Sequence, residues 1–187
     1  MKRRNFLSFA LAFLPITLLA QIERENIMRT ATGFKIKKDE ARFGKRYEMK
    51  GITSNTLDIK ISGNDTGGDL VVFEQTGLTP NGGPPLHIHP FQDEWFYIIE
   101  GEYLFQVGKE KHSMKAGDTI FLPRNVQHAF MQLSEKGKMV FSFLPAGKME
   151  DFFKETDAWT SPPTVEEIAK VFREHDMIVV GPPLKAK

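Results

Sequence analysis

The most informative absence in this 187-residue chain is cysteine, of which there is none. Without cysteine the chain has no disulfide, no thiolate metal site and no cysteine nucleophile, and the redox state of its compartment stays open. An excess of one charge is also missing, since the formal net charge is +1 and no long basic run occurs. Nucleic acid is therefore not an expected partner, because binding it usually needs a concentrated positive face.

Aromatic residues are unevenly represented, with 2 Trp and 3 Tyr against 16 Phe. This excess predicts a phenylalanine-rich core, and the alternative is an apolar pocket for flat or greasy ligands, because cores and pockets draw on the same residues. Hydrophobic residues make up 41% and charged residues 26% of the chain, values typical of a soluble globular protein. The length suits one domain.

The N-terminus carries a charged segment followed by an apolar one. Lys2, Arg3 and Arg4 precede an almost unbroken apolar stretch over residues 6–20, interrupted by Pro15. Such a stretch is typical of a secretory signal, and it is short for a bilayer span, which takes about 20 apolar residues. We expect residues 1–20 to be a signal peptide, with a membrane anchor or a buried helix as the alternative.

The localisation expected from this signal is export, with the mature protein periplasmic or secreted and without a stable membrane span. The pair Arg3-Arg4 resembles the twin-arginine export signal. A Sec signal that happens to hold two arginines is the alternative.

The middle of the chain, residues 51–146, predicts a β domain, and residues 21–50 are expected to form N-terminal strands or an arm. Apolar and polar residues alternate in short segments that turn residues separate, which is typical of a β-sandwich or barrel. The predicted strands are residues 57–61, 70–75, 94–99, 103–107, 119–122, 128–133 and 138–144.

The last segment, residues 147–187, predicts a helical tail packed on the barrel. Residues 147–154 suit a short helix, and Thr164 with Glu167 three residues later forms a capping box for a second one. Residues 177–180 suit a returning strand. The predicted inner face of the second helix consists of Val165, Ile168, Ala169 and Phe172.

Four residues form a candidate metal site. His87 and His89 lie two positions apart, so they project from the same side of a strand. Glu94 follows on an apolar strand, where an unpaired carboxylate would be costly to bury, and His128 opens a later strand. Three imidazoles and one carboxylate suit one divalent transition metal, namely Fe, Mn, Ni, Co, Cu or Zn. The alternative is a set of ordinary polar turn residues.

Two further histidines are interpreted as solvated surface residues. His112 stands between Lys111 and Ser113, and His175 stands between Glu174 and Asp176.

The histidine segment resembles the first motif of the cupin family, in which a Gly precedes H-x-H, a Glu and a final Gly. Here the motif reads His87-Ile88-His89, four residues, Glu94, six residues and Gly101. The leading Gly is displaced by one position, because Asn81 occupies its place and Gly82 follows.

A second segment resembles the second cupin motif. It reads Gly117, five residues, Pro123-Arg124-Asn125, two residues, His128, three residues and Gln132. Asn125 replaces a turn glycine, which is reasonable because Asn tolerates positive φ. Gln132 replaces an Asn. The two motifs together, in this order, are specific for the family.

The resemblance implies an all-β fold: a double-stranded β-helix, or jelly-roll-like barrel, of six to eight strands with a short C-terminal helical tail. It implies that His87, His89, Glu94 and His128 are the metal ligands. The one-domain layout looks like the small cupins grouped with quercetin dioxygenases, in which the glutamate acts as ligand and base. Glu94 is then the expected catalytic residue.

The function expected from this resemblance is a dioxygenase-like oxidoreductase that acts on a small aromatic or enolisable compound. The alternatives are a non-catalytic module that binds a small molecule or a metal, and a metal-dependent isomerase or decarboxylase, because one fold hosts many activities. The expected partner is a small-molecule substrate or ligand, and a homodimer is compatible with the sequence.

The export signal generates a first prediction. Replacing both arginines, Arg3→Lys with Arg4→Lys, keeps the positive charge that a Sec signal needs but removes the twin-arginine pair. We expect the precursor of this variant to remain inside the cell, measured by fractionation beside the wild type. Export in the folded state would let the cell choose the metal, since raw affinity outside favours Cu. Equal amounts of both proteins in the periplasm would contradict the twin-arginine interpretation.

Overall fold

The computed structural model describes residues 29–50 and 55–185. The expected signal peptide, residues 1–20, lies outside the described residues. In chain order the strands are β1 Arg46–Glu48, β2 Asn55–Ile61, β3 Val71–Gly77, β4 Pro85–Ile88, β5 Asp93–Glu100, β6 Glu102–Val107, β7 Glu110–Lys115, β8 Thr119–Leu122, β9 His128–Gln132, β10 Gly137–Leu144 and β11 Ile178–Pro183. The helices are α1 Gly63–Thr66, α2 Met149–Asp157 and α3 Val165–Glu174.

The strands form two antiparallel sheets that face each other across the core. The larger sheet has the order β1-β2-β3-β10-β5-β8, and the smaller has the order β11-β4-β9-β6-β7. Consecutive strands therefore alternate between sheets in several places, as in a jelly roll. The prediction of an all-β double-sheet barrel with a helical tail is confirmed.

Alternation along the strands explains which side chains enter the core. On β3 the buried residues alternate with half-buried ones, and on β5 the buried residues are Glu94, Phe96 and Ile98. Strands of this kind are readable from sequence because successive side chains point to opposite faces. The sequence does not predict β7, because Met114 is the one buried residue of this strand and apolar and polar residues do not alternate along it.

Phenylalanine fills the space between the sheets, as the composition predicted. The Phe73 ring stacks on Phe141 with centroids 5.3 Å apart and meets the edge of Phe153 at 4.9 Å. Phe96 stacks on the other side of Phe141 at 5.2 Å. Phe153 comes from α2, so the tail is packed into the same core as the barrel strands.

The chain after residue 147 contributes two of the three described helices, α2 and α3, and the strand β11. The predicted capping box is present, since the Glu167 N–H donates to Thr164 Oγ1 at 3.2 Å and the Thr164 N–H donates to Glu167 at 2.7 Å. β11 then pairs with β4 and completes the smaller sheet. In the described part of the chain, no helix is both long and apolar enough to cross a bilayer.

The predicted inner face of α3 is wrong at one position. Val165 is 75% exposed, whereas the buried residues are Val171 and Phe172, with Ile168 packed beside the core. The reason is that the later turns of α3 contact the barrel, while the first turn carries no buried residue.

Candidate metal centre

The structure brings the four predicted ligands together. His87 lies on β4, directly opposite His128 on β9 in the register of the smaller sheet. Glu94 lies on β5 of the larger sheet, and His89 follows β4. One ligand atom from each residue lies within 4.8 Å of those of the other three. The two sheets therefore close around a single cluster, which we call the His₃Glu cluster.

All four side chains are buried. The exposed fractions are 5% for His87, 1% for His89, 3% for Glu94 and 2% for His128. Water therefore does little to solvate the carboxylate or the imidazoles, and a charge in this place must be compensated by the protein or by a bound ion.

Backbone carbonyls orient two of the imidazoles. His87 Nδ1 lies 2.8 Å from the Pro85 carbonyl oxygen, and His128 Nδ1 lies 2.9 Å from the Val126 carbonyl oxygen. Since a carbonyl oxygen accepts hydrogen bonds, we assign the proton to Nδ1 in both rings. Each Nε2 then keeps its lone pair for the centre of the cluster, the arrangement that metal-binding histidines commonly show.

Several ligand atoms lack a well-directed hydrogen bond among the described residues. His89 Nε2 lies 2.9 Å from Glu94 Oε1, and His128 Nε2 lies 3.6 Å from Glu94 Oε2. Neither nitrogen of His89 nor Nε2 of His128 has a hydrogen-bond partner of good geometry there. Buried polar atoms are rarely left in this state. An ion bound at the centre would satisfy one nitrogen of His89 and Nε2 of His128 together, so the donor set fits one divalent transition metal.

The electrostatics of the cluster favour the metal-binding protonation states. Burial, together with the neighbouring imidazoles of His128 and His89, lowers the pKa of His87 well below its ordinary value. Burial would raise the pKa of Glu94, but the adjacent imidazoles of His89 and His128 outweigh it and hold that pKa well below its usual range. His87 is therefore neutral and Glu94 ionised at neutral pH, as metal ligation requires.

The turn of the second motif, at residues 123–125, is hydrogen-bonded to residues of the His₃Glu cluster and to their neighbours. Asn125 adopts φ of 63°, so the prediction that it replaces a turn glycine is confirmed. Its backbone N–H donates to the His89 carbonyl oxygen at 2.9 Å, which ties this turn to a ligand residue. Next to it, the Arg124 N–H donates to Asp93 Oδ1 at 2.8 Å, and Asp93 precedes Glu94. The two motifs are therefore joined beside the ligands.

A small cavity adjoins the cluster. Its volume is about 40 Å³, and it is lined mainly by aromatic and methionine side chains. Helices α2 and α3 cover it: the Phe172 ring lies 5.2 Å from His87 and 5.1 Å from Phe152. Pockets for drug-sized ligands usually measure about 300–1,000 Å³. The closed cavity thus holds at most a very small molecule or a few waters.

The interpretation of His175 as a surface residue is wrong. This side chain is 7% exposed, its Nδ1 lies 2.9 Å from the Val171 carbonyl oxygen, and its ring lies 5.7 Å from Phe152. His175 lies one helical turn after Val171, on the face of α3 that packs against the core. Its charged sequence neighbours, Glu174 and Asp176, give the segment the pattern of an exposed one. His112 remains partly exposed, with 40% of its side chain accessible.

Sequence reasoning missed one cavity residue with polar chemistry, Gln75. This side chain is fully buried on β3 and lines the same cavity as the cluster. A lone Gln in a strand gives no signal in the sequence that would single it out.

The fold and the cluster define a double-sheet antiparallel barrel with a buried His₃Glu site between its sheets. Residues 75–144 match the family described as the cupin domain. This part of the chain is therefore a cupin domain.

Two curated proteins are similar to part of this chain. A quercetin 2,3-dioxygenase of Bacillus subtilis (strain 168) is 30% identical over 91 residues, which are 48% of this chain and 26% of that protein. A protein described as polyketide synthase CurC of Streptomyces cyaneus is 28% identical over 60 residues, which are 32% of this chain and 39% of that protein. The matches with curated relatives span from 26% to 48% of the relatives' own length.

Solved structures share the fold. An RmlC-like cupin from Shewanella frigidimarina superposes with a TM-score of 0.52 at 20% identity, covering 67% of this chain and 99% of that one. KdgF from Halomonas sp. superposes with a TM-score of 0.51 at 17% identity, covering 61% of this chain and 94% of that one. At these identities the likeness concerns the architecture alone.

The cluster predicts a dependence of metal content on His87. The purified mature protein should hold close to one first-row transition metal per chain, and His87→Ala should lose most of it, because the site then keeps three of its four donors. Elemental analysis measures both. The matched control is His112→Ala, which removes a histidine from the partly exposed β7. Absence of metal from wild-type protein expressed with Fe, Mn, Ni and Zn would contradict the prediction.

The cluster also predicts how acid destabilises the metal-free protein. Because the pKa of His87 is lowered in the folded state, the unfolded chain binds a proton that the folded one rejects below pH about 6.5. The free energy of unfolding should fall as the pH drops below that value, by up to about 1.4 kcal/mol per pH unit for this group. Chemical denaturation at several pH values measures it. The decline should be shallower in His87→Leu and unchanged in His112→Leu; equal slopes in all three proteins would refute the assignment.

Proposed function

We propose that this protein is a metal-dependent, dioxygenase-like oxidoreductase that acts on a small enolisable or aromatic compound. The observation that carries the proposal is the buried His₃Glu cluster, with its ligand atoms within 4.8 Å of one another beside an aromatic cavity. The local similarity to a quercetin 2,3-dioxygenase supports the type of reaction.

The cofactor in this proposal is one divalent transition metal, namely Fe, Mn, Ni, Co, Cu or Zn, held by His87, His89, Glu94 and His128. When bound, such a metal supplies Lewis acidity that lowers the pKa of a substrate hydroxyl. The chain itself supplies the orientation: the Pro85 and Val126 carbonyls hold two of the rings with Nε2 toward the centre.

Glu94 is the proposed catalytic base. Its Oε1 faces His89 and its Oε2 faces His128, so its two oxygens point to different parts of the cluster. A carboxylate that binds through one oxygen keeps the other for a proton taken from the substrate. The side chain is ionised, because its pKa lies well below the usual range, and its burial places the charge where little water competes for it.

The aromatic wall excludes water from the reacting atoms. Phe152 and Phe172 come from the two tail helices, and Phe143 on β10 lies 5.3 Å from His89 by ring centroids. Exclusion of water protects reactive intermediates and strengthens electrostatic interactions inside a site. The cavity volume of about 40 Å³ favours the smaller, enolisable end of the proposed substrate range.

A second candidate, a non-catalytic module that retains a small ligand or a metal, is favoured by the same closed cavity. The two functions differ in oxygen consumption. Metal-loaded protein should consume oxygen with at least one member of a panel of catechols, flavonols and small diketones if it is an oxygenase. Tight retention of a ligand without oxygen uptake would favour the binding module, and product formation without oxygen uptake would favour an isomerase or a decarboxylase.

Export and assembly belong to the proposal as well. We propose that the mature protein is periplasmic or secreted, as the charged and apolar N-terminus supports.

We also propose a homodimer, which is supported by exposed aromatic residues on the outer face of the larger sheet. There Trp95 pairs in register with Phe121, and Tyr97 lies 6.3 Å from Trp95 by ring centroids.

The role of Glu94 predicts the effect of a conservative substitution. Glu94→Gln keeps the size and one oxygen donor but removes the charge and the basicity. Turnover of any substrate found should fall by about 10²–10⁴-fold, the usual contribution of a positioned acid or base. Steady-state kinetics measure this, with the metal content determined in parallel.

The matched control for this substitution is Glu100→Gln, which makes the same change at the exposed end of the same strand and should leave turnover unchanged. Full turnover by Glu94→Gln would rule out the base role while leaving the metal site intact.

A further inference from the structure

The chain crosses from the larger sheet to the smaller one between β8 and β9, beside the His₃Glu cluster. In the larger sheet Glu94 on β5 lies opposite Leu122, the last residue of β8. Pro123 follows and has no N–H to donate to a neighbouring strand. After a short segment, which we call the crossing segment (residues 123–127), His128 opens β9. The crossing segment therefore links Glu94 on one sheet to His128 on the other.

Arg124 holds the crossing segment against the strand that carries Glu94. Its backbone N–H donates to Asp93 Oδ1 at 2.8 Å, and its Nε lies 3.2 Å from each oxygen of that carboxylate. Its Nη2 donates to Asp93 Oδ2 at 2.5 Å and also lies 3.4 Å from the Leu144 carbonyl oxygen. Since Asp93 begins β5 and Leu144 ends β10, this one residue connects the ends of β8, β5 and β10 next to Glu94.

The residues that follow Arg124 contact two of the candidate ligands. The Asn125 N–H donates to the His89 carbonyl oxygen at 2.9 Å. The Val126 carbonyl oxygen lies 2.9 Å from Nδ1 of His128. A shift of the crossing segment would therefore move both imidazoles relative to the carboxylate of the cluster.

The ion pair between Arg124 and Asp93 is not placed to stabilise the barrel strongly. Their side chains are 46% and 25% exposed, and ion pairs in contact with water contribute little because solvent screens them. Arg46 and Asp58 form a second bidentate pair, in which the arginine is again 46% exposed. The two pairs differ in place: Asp93 precedes Glu94, whereas Arg46 and Asp58 lie on β1 and β2, which carry no candidate ligand.

We propose that Arg124 is a positioning residue for the metal centre. By holding the crossing segment against Asp93 through its guanidinium, it sets the separation between the carboxylate on one sheet and the imidazoles on the other. The donor atoms then stand near one another before an ion binds. This inference rests on the proposed function, whose metal the cluster holds. Residues that orient metal ligands from outside the ligand set commonly change metal affinity by about 10–100-fold.

The charge of Arg124 gives positioning and simple electrostatics opposite signs. A positive charge near a cation site opposes binding of the cation, so on electrostatic grounds alone the loss of Arg124 would tighten metal binding. Loss of positioning weakens binding instead, because part of the binding free energy is then used to bring the donors together. The direction of the change in the dissociation constant therefore distinguishes the two effects.

The test compares Arg124→Gln with the matched control Arg46→Gln, which breaks the other bidentate pair at the same exposure of the arginine. A second variant, Arg124→Lys, keeps the positive charge but lacks the planar fork that matches a carboxylate. Zinc is the probe, and competition with a chelator measures its dissociation constant for each purified mature protein. The visible absorption of Co(II)-loaded protein gives a second readout, since it depends on the coordination geometry. Thermal unfolding of the metal-free proteins reports the effect on the fold.

We expect both Arg124 variants to bind zinc about tenfold more weakly than wild type, or more weakly still, and to show a changed Co(II) spectrum. Arg46→Gln should keep the affinity and the spectrum of wild type. Without metal, all three variants should unfold at similar temperatures, because each loses one partly exposed ion pair.

Unchanged or tighter zinc binding by either Arg124 variant would overturn the inference. An equal loss of affinity in Arg46→Gln would overturn it too, since the effect would then not depend on place. So would a marked fall in the unfolding temperature of the Arg124 variants that Arg46→Gln does not share, because Arg124 would then serve the fold. Failure of the wild type to hold zinc would instead overturn the proposed function.

Discussion

Burying the Glu94 carboxylate beside three imidazoles requires a compensating charge, since little water reaches any of these side chains. Two sheets and one turn surround that carboxylate: β5 carries it, β4 and β9 bring His87 and His128 opposite each other, and the turn at Asn125 holds His89 through its carbonyl. A barrel that did not bind an ion here would keep the cost of this arrangement without a benefit.

The covering helices α2 and α3 link the His₃Glu cluster to the phenylalanine core. Phe172 lies against His87, Phe152 against Phe172, and Phe153 against Phe73 in the centre of the barrel. One continuous set of aromatic contacts therefore runs from the ligands into the interior. Movement of the tail helices would alter both the size of the cavity and the packing of the core, which ties access to the site to the stability of the fold.

The candidate ligand set could be predicted from the sequence because the spacing within each of its two motifs is local. His87 and His89 share a face at a period of two, and the motif around Asn125 marks a turn whose positive φ the structure shows. The exposure of Val165, the burial of His175 and the cavity position of Gln75 depend on which elements pack together across the chain. Local patterns do not contain that information, and charged neighbours hid His175.

The pairing of β11 with β4 has a consequence for the order of events during synthesis. Val179 lies opposite His87 in that pairing, so the strand that bears His87 and leads into His89 is flanked by a segment translated about ninety residues later. All four ligands leave the ribosome well before this strand does. The nascent chain thus carries its complete candidate donor set while one side of β4 still lacks its neighbour.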